Sequence, residues 1–346
     1  MTIATEIPWI EAGAGALVLA PMEGVTDRPM RALLSELGGF TFCVAEFLRI
    51  SQAVPGLRVF QRHVPELMNG GRTPAGLPVQ VQILGGDPAL LAEAALVAVR
   101  AGARAVDLNF GCPARTVNRH DGGATLLQYP ERIRAIVAAV RAAVPAHVPV
   151  SAKLRLGWDD MQAIHVNAER AAEGGFDWIT VHAHQDAGLS ATCLLEAARR
   201  GTPRLGIPVV ANGEIWTIDD RAAAGTRPAV STSCWAAGRW PILALEAPAS
   251  LALAAVRIGL TGTPAEWLAL LLRYADLCRV SGLPSKYILP RVKQWLRMAN
   301  HDGRLSWFDA VKGCAELEDL LNYLGAARRS DAGRARLLPS RVLAGT

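Results

Sequence analysis

Several absences narrow this chain of 346 residues before any motif is considered. It has no run of about 18 uncharged apolar residues, and its N-terminus lacks a basic stretch followed by an apolar one. Neither a membrane span nor a secretory signal is therefore expected. The six cysteines (Cys43, Cys112, Cys193, Cys234, Cys278, Cys314) are scattered with no C-x-x-C spacing. That argues against a zinc cage or a disulfide framework, predicts no metal site, and favours a reducing cytoplasm. Charged residues make up only 19% against 51% hydrophobic, which excludes an intrinsically disordered chain. Tyrosine is scarce, four residues against nine tryptophans, and part of that tryptophan surplus lies in segments unlike their surroundings.

What is present is alternation. Ala16–Met22, Phe42–Phe47, Val79–Leu84, Ala105–Phe110, Val150–Leu156, Trp178–His182 and Val209–Glu214 read as buried parallel strands. Helical stretches such as Pro88–Ala101, Pro130–Ala143 and Asp160–Gly174 separate them. Seven strand–helix units and a poorly defined eighth predict an α/β fold, a (β/α)8 TIM barrel. A doubly wound sheet is the runner-up, weakened because no G-x-G-x-x-G follows the first strand. The boundaries read as an N-terminal extension over 1–15, a barrel over 16–258, a helical domain over 259–325 and a disordered tail over 326–346. The helical domain is drawn from Pro264–Val280, Leu289–Ala299 and Trp307–Leu324.

Polar residues collect where the strands end, and in a barrel all of these ends meet at one rim. A lone cysteine is most often a small buried hydrophobe. Cys112, however, lies on a turn fixed by Gly111 and Pro113 with Asn109 and Arg115 nearby, a setting for a nucleophile or a general acid. Lys153 inside an apolar strand calls for an anionic or electron-rich ligand, because burying a bare ammonium is costly. His182 and Asn212 stand at neighbouring strand ends, and Gln82 offers an amide suited to a heterocycle's edge. In the helical domain Lys286, Arg291, Lys293 and Arg297 interleave with Tyr287 and Trp295. This is either a solvated face with an apolar stripe or a set of phosphate contacts. The net charge of +5 and a pI near 9.0 keep a polyanionic substrate in view.

At these residues the chain resembles the tRNA-dihydrouridine synthases. The resemblance rests on Ala20-Pro21-Met22-Glu23-Gly24-Val25-Thr26-Asp27, on Asp107-Leu108-Asn109-Phe110-Gly111-Cys112-Pro113 and on Ala211-Asn212-Gly213-Glu214, and it extends from about Leu17 to Leu324. Ala45–Arg49, Pro65–Asn69 with Arg72–Pro74, and Arg291–Leu296 look like the branch that modifies uridine 16 of the D-loop. The resemblance implies bound FMN, NADPH as reductant and tRNA as partner; the chain is expected to act as a monomer. It implies that Pro21, Met22, Glu23, Gln82, Lys153, His182, Asn212, Gly213 and Glu214 hold the flavin. Gly238 and Arg239 stand where its phosphate is expected. Cys112 becomes the proton donor, and Arg49, Asn109, Arg291, Lys293 and Lys312 become tRNA contacts. Two alternatives stay open: a barrel flavoenzyme acting on free pyrimidines, and a tRNA-binding protein that has lost catalysis.

Two stretches depart from the family pattern. After His182 it expects roughly Gly/Ala-Arg-Thr-Lys-x-Gln-Gly-Tyr, but the chain has Ala183-His184-Gln185-Asp186-Ala187-Gly188-Leu189-Ser190. Where an eighth strand should end in Gly-Arg-Gly stands Ser233-Cys234-Trp235-Ala236-Ala237-Gly238-Arg239-Trp240. Shifting the frame restores both: Ser233–Gly238 admits Met-Leu-Gly-Arg-Gly, and His184–Ser190 admits Thr-Lys-Thr-Gln-Gly-Tyr-Arg. The hypothesis is that 183–205 and 221–250 are frame-shifted by compensating insertions and deletions. Resequencing tests it, and an intact single frame coding for this text overturns it. If the text stands as written, the eighth strand is expected to pack poorly and the phosphate site to be damaged.

Overall fold

A computed structural model of the protein describes residues 9, 16–119, 122–160, 162–182, 208–212, 242–245, 264–301 and 308–331. The chain divides into two compact units, Met1–Gly24 with Phe40–Ala247, and Val25–Gly39 with Pro248–Thr346.

The first unit is the (β/α)8 barrel. Its strands are β1 (Leu17–Leu19), β2 (Phe42–Val44), β3 (Leu48–Arg49), β4 (Val79–Leu84), β5 (Val106–Phe110), β6 (Val150–Arg155), β7 (Trp178–His182), β8 (Val209–Asn212) and β9 (Ile242–Leu245). All pairings between these strands are parallel, and the ring runs β1-β2-β4-β5-β6-β7-β8-β9 and back to β1. The expected second strand, Phe42–Phe47, is broken. β2 pairs Val44 with Gln80, whereas β3 pairs Leu48 with Ile83, so the chain takes four steps where β4 takes three. That extra residue is a bulge, which ends β2 early and re-aims the segment through Glu46.

The eighth strand is Ile242–Leu245, whose backbone pairs with both β8 and β1. It lies within the stretch read as frame-shifted and downstream of Gly238 and Arg239. Those two residues, like the whole of 183–205, fall outside the described residues.

Register sorts the barrel's side chains. Val18 lies beside Phe42, Val44 beside Gln80, Gln82 beside Asp107, Asn109 beside Lys153, Arg155 beside His182, and His182 beside Asn212. Residues opposite one another share a face, and period-two alternation carries that face along each strand. The polar side chains of β4 to β8 therefore line the barrel interior. Val79, Val81, Ile83, Val106 and Leu108 turn outward and are buried on the other side, with helix Pro88–Arg100 packed against β4 and β5. Elsewhere the interior is apolar: Ala16, Val18, Ala20, Phe42, Val44, Trp178 and Val210 form one buried cluster. The first dozen residues read as a featureless extension, yet Trp9 packs on this cluster, its ring 5.2 Å from that of Phe42. Phe42 in turn meets Trp178 edge-on at 6.2 Å.

The second unit joins helix Arg28–Leu37 to the C-terminal helices Pro264–Val280, Ser285–His301, Phe308–Val311 and Leu317–Asp331. Asp27 caps the first of these, its Oδ1 accepting from the Met30 N–H at 3.0 Å. Its Oδ2 accepts from Tyr274 at 3.0 Å and from Tyr287 at 2.8 Å, while Glu36 receives both arms of Arg273 at 2.8 and 3.0 Å. Three helical expectations are corrected here. Helix Ser285–His301 starts four residues before Leu289 and carries Pro290 inside it. The single helix expected over Trp307–Leu324 is two, separated around Gly313. The last helix continues to Asp331, into the segment read as a disordered tail.

Candidate active site

The turn that follows β5 is built around one amide. Asn109 Oδ1 accepts from the backbone N–H of Gly111 at 2.9 Å and of Cys112 at 3.0 Å, which folds the chain sharply after the strand. The Cys112 carbonyl accepts from the Ala124 N–H at 3.0 Å, so a second loop is tied to the first. Gly123 makes that closeness possible. Its φ is +62°, and a Cβ placed on it would lie 2.6 Å from the Cys112 carbonyl oxygen.

Cys112 is half-buried at the rim. Burial pushes its thiol above the ordinary value and the Glu23 carboxylate adds to this; the Ala114 N–H and the Lys153 and Arg155 cations pull the other way. At neutral pH the group is a thiol, which suits a proton donor and not a thiolate nucleophile.

Beneath the turn the interior face carries a continuous hydrogen-bonded group. Asn109 Nδ2 donates to Gln82 Oε1 at 2.9 Å, and Gln82 Nε2 donates to Asp107 Oδ2 at 2.6 Å. Ser151 donates to the other Asp107 oxygen and accepts from Gln80 Nε2 at 2.8 Å. Burial pushes the Asp107 carboxyl up to about 6, against the pull of the Ser151 and Gln82 donors and the Lys153 charge. Gln82 and Asn212 are fully buried, and Lys153 is 8% exposed. Lys153, His182 and Asn212 follow one another on adjacent strands of the same face. Two amides, an ammonium and an imidazole form a donor-rich set, and that chemistry fits the electron-rich edge of a reduced flavin.

The remaining expected residues divide by location. Pro21 and Met22 are half-buried just past β1, and Glu23 is exposed beside a Gly24 N–H that donates to Glu46. Arg49 donates to the Thr116 carbonyl at 2.9 Å, bracing the helical turn after the cysteine loop. Gly213, Glu214, Gly238 and Arg239 lie outside the described residues.

In the second unit Arg291 lies 5.1 Å over the Tyr287 ring and donates to its hydroxyl at 3.3 Å, so it is held on the Asp27 cluster. Lys293 places its ammonium on the Lys312 carbonyl at 2.8 Å and the Cys314 carbonyl at 2.5 Å, fastening the turn after helix Phe308–Val311. Lys312 is exposed and pairs with Asp309 at 2.8 Å. Sequence reasoning assigned no role to Asp107 or Ser151. The available signal was an acid inside a buried strand, the same kind of signal that singled out Lys153.

The sequence profile of a family described as "Dihydrouridine synthase (Dus)" matches residues 18–229. A Pseudomonas putida protein named tRNA-dihydrouridine(16) synthase is 40% identical over 308 residues, 87% of this chain and 92% of its own length. Proteins of the same name from Shewanella oneidensis and Neisseria meningitidis serogroup B are 41% and 37% identical, covering 82% and 90% of this chain and 88% and 95% of theirs. Among solved structures, a phosphonopyruvate hydrolase superposes with a TM-score of 0.46 at 15% identity over 94% of this chain and 96% of its own, too slight a likeness to bear on chemistry.

Proposed function

Since the chain belongs to the dihydrouridine synthase family, we propose that it is an FMN-dependent tRNA-dihydrouridine synthase that reduces the C5=C6 bond of uridine 16 in the D-loop, with NADPH as reductant. The observation that carries this reading is the Cys112 turn: a neutral thiol held at the rim by Asn109, above a barrel interior lined with Gln82, Lys153, His182 and Asn212. The name shared by the relatives supports the choice of tRNA and of position 16.

When bound, flavin would supply the hydride that C6 of the uracil ring takes up. Cys112 gives its proton to C5, and its raised affinity for that proton keeps the thiol loaded at neutral pH. Asn109 fixes the backbone from which that thiol projects. Lys153 and His182 would present positive or donor groups to a bound flavin where its reduced form gathers charge, and Gln82 and Asn212 would hold its polar atoms. A uridine in a folded tRNA must leave its stack to meet such a rim. Arg49, Arg291, Lys293 and Lys312 are the cations offered to the tRNA backbone, each of them already steadied by a contact within its own chain. Free cysteines at 43, 112, 278 and 314 are compatible with a reducing cytoplasm. Among the described residues no helix is long and apolar enough to cross a membrane, and no group of three acidic, histidine or cysteine residues could hold a metal ion.

Mapping dihydrouridine in tRNA from a deletion strain tests the proposal. Loss confined to position 16, restored by the wild-type gene and not by Cys112→Ala, is the expected result. Loss at another D-loop position with 16 intact would refute the choice of uridine.

A further inference from the structure

We propose that Asp107 is the positioning residue of this site: its carboxylate fixes which way round the Gln82 and Asn109 amides stand, and through them where the Cys112 turn sits. The inference rests on Cys112 being the proton donor and goes beyond it by naming what holds that donor in place.

A primary amide has nearly the same shape either way round, so its neighbours decide which end presents oxygen. The backbone N–H groups of Gly111 and Cys112 can only donate, which turns Asn109 Oδ1 toward them and leaves Nδ2 facing Gln82. Gln82 must then offer Oε1 to Asn109 and Nε2 to whatever lies beyond it. The set therefore needs an acceptor at its far end, and Asp107 Oδ2 is that acceptor. The second donor path ends on the same carboxylate, from Gln80 through the Ser151 hydroxyl to Oδ1. Both paths point into Asp107, and an ionised carboxylate has no proton to oppose either. Asp107 itself is 2% exposed and one register step below Asn109, so it acts through its neighbours and not on substrate. A buried carboxylate that only filled space would be a costly choice at this position.

Asp107→Asn keeps the volume and Asp107→Leu the branched shape, so together they separate the acceptor from the packing. In Asp107→Asn the side-chain oxygen can still accept from Gln82; in Asp107→Leu nothing can. Displacement of the turn by about 1 Å costs on the order of 100-fold in rate. The expected result for Leu is that loss in kcat with KM for tRNA within about 2-fold, and for Asn a loss below about 10-fold. A second series does not depend on the Leu variant folding. Gln82→Glu sets two carboxyl groups against each other, and adding Asp107→Asn supplies a donor between them. The double variant should recover at least about 10-fold over Gln82→Glu alone, since neighbours acting through one contact are not additive.

The rate at which iodoacetamide labels Cys112, followed by mass spectrometry, should change in the same order and needs no turnover. Equal losses in Asn and Leu, no loss in either, or no recovery in the double variant each overturn the proposal. An active Cys112→Ala removes the proton-donor reading alone, and the labelling order still judges Asp107 by itself.

Discussion

Replacing Gly123 by alanine probes the tightest approach in the cysteine turn. At φ +62° a side chain costs about 1 kcal/mol relative to glycine. The new methyl would meet the Cys112 carbonyl oxygen at 2.6 Å and Val117 Cγ1 at 2.9 Å, so one of them must shift. Overpacking of this kind costs about 1–3 kcal/mol. The two effects together predict a loss of about 2–4 kcal/mol, and a fall in Tm of roughly 5–10 °C for a domain of this size. The carbonyl that must move is the one receiving the Ala124 N–H, and it belongs to the cysteine itself. Turnover should therefore fall on the order of 100-fold as well. Gly122 is the internal control: its φ is −125°, and an added Cβ finds its nearest neighbours at 3.5–3.6 Å. Initial rates of tRNA reduction and thermal melts on one set of preparations decide the matter. Wild-type behaviour of Gly123→Ala in both assays, or equal damage from Gly122→Ala, refutes the reasoning.

Three further outcomes are expected. Because the Cys112 thiol is raised and must be protonated to act, activity should stay level through neutral pH and decline only above the ordinary thiol range; a decline between pH 7 and 8 in the pH–rate profile counts against it. Burial raises the Asp107 carboxyl from 3.8 to about 6, so its contribution to stability is fully present below pH 3.8 and is lost as pH rises through 6. Urea unfolding should then find the wild type losing about 1 kcal/mol relative to Asp107→Asn between pH 5 and pH 7, and a constant difference would contradict this. Asp27→Ala removes a helix cap and the acceptor of two tyrosine hydroxyls, for about 3–5 kcal/mol. Tyr287→Phe should cost about 1 kcal/mol, and a loss below that for Asp27→Ala would show the cluster to be incidental.

Much of the barrel was legible because its strands are short, apolar and evenly spaced. Val79–Leu84 and Trp178–His182 were placed with the boundaries they have. The gathering of Gln82, Asn109, Lys153, His182 and Asn212 on one face was legible as strand-end chemistry, and register carries it out. Asp107 was not: Val106-Asp107-Leu108-Asn109-Phe110 alternates openly, but the partners that give Asp107 a role lie 25 and 44 residues away. The bulge after Val44 depends on how two strands align with a third, which no local pattern records. Lys293 read as a solvated side chain or a phosphate contact because a helix wheel cannot reveal two carbonyls some twenty residues further on.

The partition of the chain has a consequence for the order of events on the ribosome. Helix Arg28–Leu37 is synthesised before most of the barrel, yet Met30, Leu33 and Leu34 are buried in a unit whose other described helices begin at Pro264. Its fastenings to Arg273, Tyr274 and Tyr287 span 237 to 260 residues of chain. The helix must therefore wait, its apolar face uncovered, while the whole barrel is made, and closing so long a loop is the kind of step that slows folding. A fragment cut after the barrel would inherit that uncovered face, so the barrel cannot be excised by trimming one end of the gene.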